Sequence, residues 1–225
     1  TSYWYFSWQS GIHFQNFAPT PLLDNGFLNP YTGAASIATP SSELVYYAKP
    51  DSCHNALHQS VNNGTGIIGL PNSNQGALFV PNPVDPRIYY LFTHNWSLSQ
   101  GPVGLYVHTI LKSDNYPNGT ILSSSKNIQL DQGRISRLTA VHHANGKDIW
   151  VIHSGGTANN TMDAYLITEN GVSGTPVVST FVVDTITASS WVGQLKASPN
   201  GKYLAENFNI AYWNKEAAVY RFDNS

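Results

Sequence analysis

The sequence predicts an all-β domain of β-propeller-like architecture. Three observations carry that expectation. Helical periodicity is almost absent, short apolar or alternating runs bounded by Gly, Pro, Asn and Asp recur along the chain, and one hairpin plan repeats four times. Only Asn55–Ser60 and Asn214–Ala218 offer short helical spacing. Strands are expected at Leu44–Ala48, Ala77–Val80, Ile88–Thr93, Gly104–Leu111, Leu138–His142 and Ile149–His153. They continue at Ala164–Thr168, Val177–Val183, Gly193–Ala197, Tyr203–Asn207 and Ala217–Phe222.

The repeated plan is a small-residue strand, a Pro/Asn/Gly/Asp turn and an aromatic-rich strand. It covers Ala34–Tyr47, Gly76–Tyr90, Arg137–Trp150 and Gln194–Leu204. The gaps between repeats are close to one four-stranded blade, roughly 40–50 residues, plus loop insertions. Asn145-Gly146 and Asn200-Gly201 are tight-hairpin signals, because both residue types accept positive φ. A second hairpin is expected after each first one, as in Gly104–Leu111 with Ser123–Gln129, and Ala164–Thr168 with Val177–Val183 across Glu169–Gly171. Small residues suit inner strands that crowd an axis; aromatics fill the wider space between blades. About four four-stranded blades are thus recognisable in a single domain, 1–225. Four is the lower limit for a closed ring. The chain stops at Phe222–Ser225, where another blade could begin, so a fragment of a larger propeller is the companion expectation. An open set of blades would expose strand edges to pairing.

Composition excludes several classes. Eleven basic residues against thirteen acidic ones leave no basic stripe for nucleic acid. A single cysteine, Cys53, excludes an internal disulfide framework and a four-cysteine zinc site. No run approaches the roughly 18 apolar residues of a membrane helix. The chain starts at Thr1 without a basic-then-apolar leader, so a signal peptide is expected to have been removed or never present. Few Lys and Glu, many Asn, Ser, Thr and Tyr, and almost no Cys or Met suit a secreted or surface-exposed β protein.

A series of motifs then carries a family resemblance. Tyr3-Trp-Tyr-Phe6 with Gly11-Ile-His-Phe14 opens it; Leu23-Asp-Asn-Gly26, His58-Gln59, Asn63-Gly-Thr-Gly66 and Gln75–Pro81 follow. Ile88–Thr93, Leu138–Val151, Ala164–Leu166, Gly171-Val172, Thr175–Ser179 and Leu195–Lys202 complete it. This series resembles the N-terminal propeller-like domain of large Bacteroidota surface proteins, which continue into PKD-like repeats and a gliding-motility-type sorting domain used by type IX secretion. The resemblance implies a secreted or cell-surface propeller and leaves molecular activity unassigned. Ser7-Trp8 and Pro50–His54 depart from the family pattern, and the expected further blades are missing.

Candidate chemistry is sparse. His142-His143 lies on a strand, where neighbours face opposite ways, so the pair is not expected to share a metal. His54 and His58 would suit zinc only on a helix, and a polar loop is preferred. No Gly-x-Ser-x-Gly, His-Glu-x-x-His or phosphate loop occurs, and Cys53 beside His54 does not make a dyad. The carboxylates fall mostly in turns and show no facing pair of the glycosidase kind. The best candidate ligand ring is His94, His153, Glu206 and Asn207, which follow equivalent strands. Trp96 and Trp191 are candidate binding aromatics; Trp4, Trp8 and Trp213 share their setting among Gly, Ser or Asn. Sequons stand at Asn63, Asn95, Asn118 and Asn159 and count as chance matches under the bacterial resemblance; Asp184-Thr185-Ile186 instead resembles a Bacteroidota O-glycosylation signal at Thr185.

The expected function is a noncatalytic secreted or cell-surface module that binds a glycan, a surface or a protein partner, with no cofactor, no metal, no nucleic acid and no membrane span. The first alternative is a lactonase-type hydrolase with a central cation such as Ca2+. The second is a structural subunit of an extracellular assembly, a homo- or hetero-oligomer paired through open blade edges.

Overall fold

A computed structural model describes residues 2–6, 10–15, 18–23, 33–133, 137–155, 161–181, 193–209 and 215–225. The described chain is all-β, with two short 3-10 turns, Leu98–Gln100 and Ser123–Ser125. Five antiparallel meanders follow one another. The first is β1 (Tyr3–Phe6), β2 (Ser10–Gln15) and β3 (Ala18–Leu22). The second is β4 (Ala35–Ala38), β5 (Leu44–Lys49), β6 (Ser52–Asn55) and β7 (Ser60–Thr65). The third holds β8 (Ala77–Pro81), β9 (Ile88–Asn95), β10 (Gly104–Ser113), β11 (Tyr116–Ile121) and β12 (Ile128–Gln129). The fourth holds β13 (Arg137–His142), β14 (Ile149–Ser154), β15 (Thr161–Thr168), β16 (Gly171–Val172) and β17 (Val177–Thr180). The fifth is β18 (Gly193–Ala197), β19 (Tyr203–Asn209) and β20 (Lys215–Arg221). One parallel link, Asn62 against Thr120, joins the second and third meanders into a nine-stranded sheet, and Asn62 Nδ2 donates to Thr120 Oγ1 over 2.9 Å there.

The core is divided rather than single. Tyr5 stacks on Tyr47 between the first and second meanders. Val45, Tyr46, Phe79 and Leu91 pack between the second and third. Val80, Phe92, Leu105, Val151 and Tyr165 fill the space between the third and fourth, and Ile152, Ala164, Leu195 and Leu204 the space between the fourth and fifth. Each layer therefore glues consecutive meanders, and each buried aromatic removes on the order of 150–250 Å2 from water.

The expected hairpins at Asn145-Gly146 and Asn200-Gly201 are present. Gly146 (φ 72°) and Gly201 (φ 69°) take the left-handed conformation that the turns require. Asn145 Oδ1 accepts from the backbone N–H of Lys147 and of Asp148, both at 2.9 Å.

Three local expectations are corrected. Asn55–Ser60 is a turn, because Asn55 Oδ1 accepts from the N–H of Leu57 and Gln59 and His58 sits at φ 61°. Within Asn214–Ala218, the residues from Lys215 onward are strand, held to β19 in register from Tyr203↔Arg221 to Asn209↔Lys215; residue 214 lies outside the described residues. Beyond β9, β10 pairs first with Tyr116–Ile121, because the chain reverses immediately at Asp114-Asn115, and of the expected Ser123–Gln129 only Ile128–Gln129 pairs with it. The first meander has no counterpart among the four repeats, since Tyr3–Phe6 is aromatic where the plan asks for small residues.

Candidate ligand cavity and its polar end

The first strands of the five meanders meet at one place. Residues of β1, the lead-in to β4 (Gly33 and Ala34), β8 and its lead-in, β13 and β18 line a common cavity of about 610 Å3. Small side chains make the room: Ala34, Ala77 and Ala140 stand where larger groups would close it. Tyr5 and Phe6 contribute aromatic wall; Asn74, Gln75, Thr139 and Gln194 contribute polar wall. On β18, Gly193 and Leu195 are buried while Gln194 and Lys196 are exposed, so strand alternation turns the amide and the ammonium toward the opening.

Gln75 ties one end of this cavity. Its Oε1 accepts from the N–H of Leu138 (3.3 Å) and of Leu195 (2.7 Å), and its Nε2 donates to Leu195 O (3.1 Å). One amide thus stitches the third, fourth and fifth meanders together.

Behind Gln75, the second strands end in buried polar groups. His94, on β9, donates from Nε2 to Gly133 O over 3.0 Å, and its Nδ1 has no partner among the described residues. Burial, then the positive charge of His153, lowers its pKa to about 3, so the ring is neutral near pH 7. His153, at the equivalent place on β14, donates from Nδ1 to Asp131 Oδ2 over 2.7 Å. The two imidazole centroids are 5.2 Å apart. Asp131 Oδ1 accepts from the N–H of Gly133 (2.8 Å) and of Leu105 (3.2 Å), and Tyr165 Oη reaches Asp131 Oδ2 at 3.4 Å. Burial would raise the Asp131 carboxyl, but the His153 charge, its hydrogen bond and the two backbone N–H groups outweigh burial and hold it well below the ordinary range. Gly104 (φ 147°) is required here, because a Cβ would collide with the Asp131 carbonyl.

Glu206, on β19, is buried and pairs with Arg137 at 2.9 Å (Oε1 to Nε), although the two atoms are not aligned as a hydrogen bond. Burial lowers the Arg137 pKa against the opposing pull of Glu206, and burial followed by the Glu206 charge pushes Tyr220 up to about 12.

No protein-family model matches this chain, and no curated protein does. Among solved structures, it is similar to an exo-β-1,3-galactanase from Phanerochaete chrysosporium crystallised with β-1,3-galactotriose. Identity is 10% over 84% of this chain and 47% of that one, with a TM-score of 0.47, so this chain spans about half the length of that structure.

Of the residues singled out from sequence, the structure brings His94 and His153 together around Asp131 and buries both rings fully. Glu206 is buried one meander away, and its neighbour Asn207 is exposed, accepting from the Gln194 N–H through Oδ1. Trp96 is half-buried just beyond β9. Trp191, Thr185, Trp8 and Trp213 lie outside the described residues. Asn95 of the second sequon is fully buried and spends its amide on Gly101 O and Pro102 O, whereas Asn118 is exposed; Asn159 lies outside the described residues. His54 and His58 both pack on Tyr47, at 5.2 and 5.7 Å between centroids. Cys53 is buried and its thiol pKa is raised by that burial. Among the described residues, no group of three or more His, Cys, Asp or Glu side chains is set to hold a metal ion. Sequence reasoning missed Asp131, Gln75 and Lys196. Asp131-Gln-Gly133 reads as an ordinary turn, and only the folded neighbours give that carboxylate its role.

Proposed function

We propose that the chain is a noncatalytic β-propeller-type module that binds a glycan in the cavity shared by its first strands. One observation carries the reading: the first strands of four meanders, with the segment that leads into the first strand of the remaining one, line a single cavity of about 610 Å3, with aromatic and amide groups on its wall. Rings that stack on the apolar face of a sugar, beside amides that exchange hydrogen bonds with its hydroxyls, make a carbohydrate surface. Packing layers between consecutive meanders support a radial arrangement, and in this reading the first meander is a blade additional to the four repeats. His94, His153 and Glu206 are buried, so in this reading they brace the polar end of the cavity and the ligand meets Gln194, Lys196 and Phe6. Secretion or display at the cell surface of a Bacteroidota organism follows from the composition and the motif series, with a protein partner in a larger assembly as the companion role.

The test is calorimetric titration of the purified chain against an oligosaccharide panel, with reducing-end release followed in the same samples. Saturable binding without product release is expected. Gln194→Trp, an exposed position on the cavity wall, should abolish binding and leave the melting temperature unchanged. Turnover of any panel member would favour a hydrolase, and binding unaffected by Gln194→Trp would remove the cavity from the reading.

A further inference from the structure

Charge at the cavity narrows the class of sugar. Lys196 lines the shared cavity and also two recesses that adjoin it, of about 490 and 410 Å3. Among the described residues, no Asp or Glu lines any of the three. That is notable in a chain whose acidic residues outnumber its basic ones, thirteen to eleven. Four cations elsewhere are matched, Lys49 with Asp51, Arg87 with Asp85, Lys147 with Glu169 and Arg137 with Glu206, while Lys112, Lys126, Lys202 and Arg221 make no ion pair among the described residues and line none of the three cavities. Lys196 makes no ion pair among the described residues. Its side chain shares the third recess with Trp4 and Phe6, which β1 presents at 51% and 41% exposure.

We propose that the glycan taken at this site is anionic, a sugar carrying a uronate carboxylate or a sulfate ester. The ring lies on the Trp4–Phe6 face of β1 and the anion meets the Lys196 ammonium across the opening. A cation with no competing carboxylate gives an acidic sugar an attraction that a neutral sugar of the same shape lacks, and it excludes cationic ligands. Lysine acts as a point charge, so carboxylate and sulfate share this chemistry. The proposal rests on the glycan reading above.

The experiment is a set of matched oligosaccharides, each backbone presented neutral, as its C6-oxidised uronate and as its 6-O-sulfate, titrated into the full chain. The charged members should bind about five- to tenfold more tightly than their neutral twins. Lys196→Gln should erase that gap while sparing the melting temperature, Lys196→Arg should keep most of it, and about 0.5 M salt should shrink it. Preference for the uronate over the sulfate, or the reverse, identifies the source of the anion. Equal binding of neutral and charged twins would overturn the anionic proposal and leave the glycan reading standing. Binding of no member would overturn both.

Discussion

Nδ1 of His153 lies 2.7 Å from Oδ2 of Asp131, and both side chains are shut away from water. Asp131 belongs to the segment that leaves the third meander, and His153 to the second strand of the fourth. The contact therefore fastens one meander to the next, and His94 closes the same segment from the other side through Gly133 O. A carboxylate that also takes two backbone N–H groups is fully supplied with partners.

Asp131→Asn should therefore be costly. It removes the charge facing His153 and turns one acceptor oxygen into a donor beside an N–H. A loss of about 3 kcal/mol in unfolding free energy is expected by urea titration at neutral pH, the scale of breaking one partner of a buried pair. The double variant with His153→Gln should lose less than the sum of the singles. Strict additivity would deny the pair.

The pH dependence turns on His108. Its Nδ1 accepts from the Asn127 N–H at 3.0 Å, which leaves Nε2 to donate to Thr93 Oγ1 at 2.9 Å. Burial, then the Lys126 charge, lowers the pKa from 6.5 to about 3. The unfolded chain thus takes up the proton first on acidification. Stability should be complete above about pH 6.5 and fall toward pH 3, by up to about 1.4 kcal/mol per pH unit for each such histidine, His94 included. Asp131, held down in the folded state, adds to the loss as pH falls below its ordinary 3.8. His108→Gln should flatten the melting-temperature profile between pH 6.5 and 3. An unchanged slope would show that His108 is not one of the groups responsible.

Local rules made much of this fold legible and left its site half-read. Strands such as Ile149–Ser154 and the Asn145-Gly146 hairpin follow from β-branched runs and turn chemistry that act within a few residues. The equivalence of His94 and His153 was visible because both occupy the end of a second strand in the repeated plan. The first meander was hidden by its aromatic β1 and by Pro19 and Pro21 in β3, neither of which fits that plan. The strand Tyr116–Ile121 was hidden because Pro117, Asn118 and Gly119 read as a turn. Asp131, Gln75 and Lys196 owe their significance to neighbours more than twenty residues away, and no spacing rule reaches them.

Gln75 offers the sharpest probe of the cavity's scaffold. Gln75→Leu leaves the N–H groups of Leu138 and Leu195 without their acceptor at a point where three meanders meet. About 1–3 kcal/mol of stability should be lost by denaturant titration. Gln75→Asn, one methylene shorter, should lose nearly as much because it cannot span both strands. Gln75→Asn with wild-type stability would mean that the bridge is dispensable.

The Arg137–Glu206 pair separates charge pairing from packing. Its side chains are 4% and 1% exposed, so each ion has given up its hydration. Glu206→Leu takes the paired carboxylate away from a buried guanidinium, and Arg137→Leu leaves a carboxylate that retains the 3.4 Å contact from Tyr220 Oη among its described hydrogen bonds. Each single variant should cost about 3–5 kcal/mol. The double variant Arg137→Met with Glu206→Leu removes both charges and fills the space, so it should return to within about 1 kcal/mol of wild type. Thermal melts of the four proteins decide the matter. A double variant as unstable as the singles would mean that Arg137 holds the fold through contacts other than Glu206.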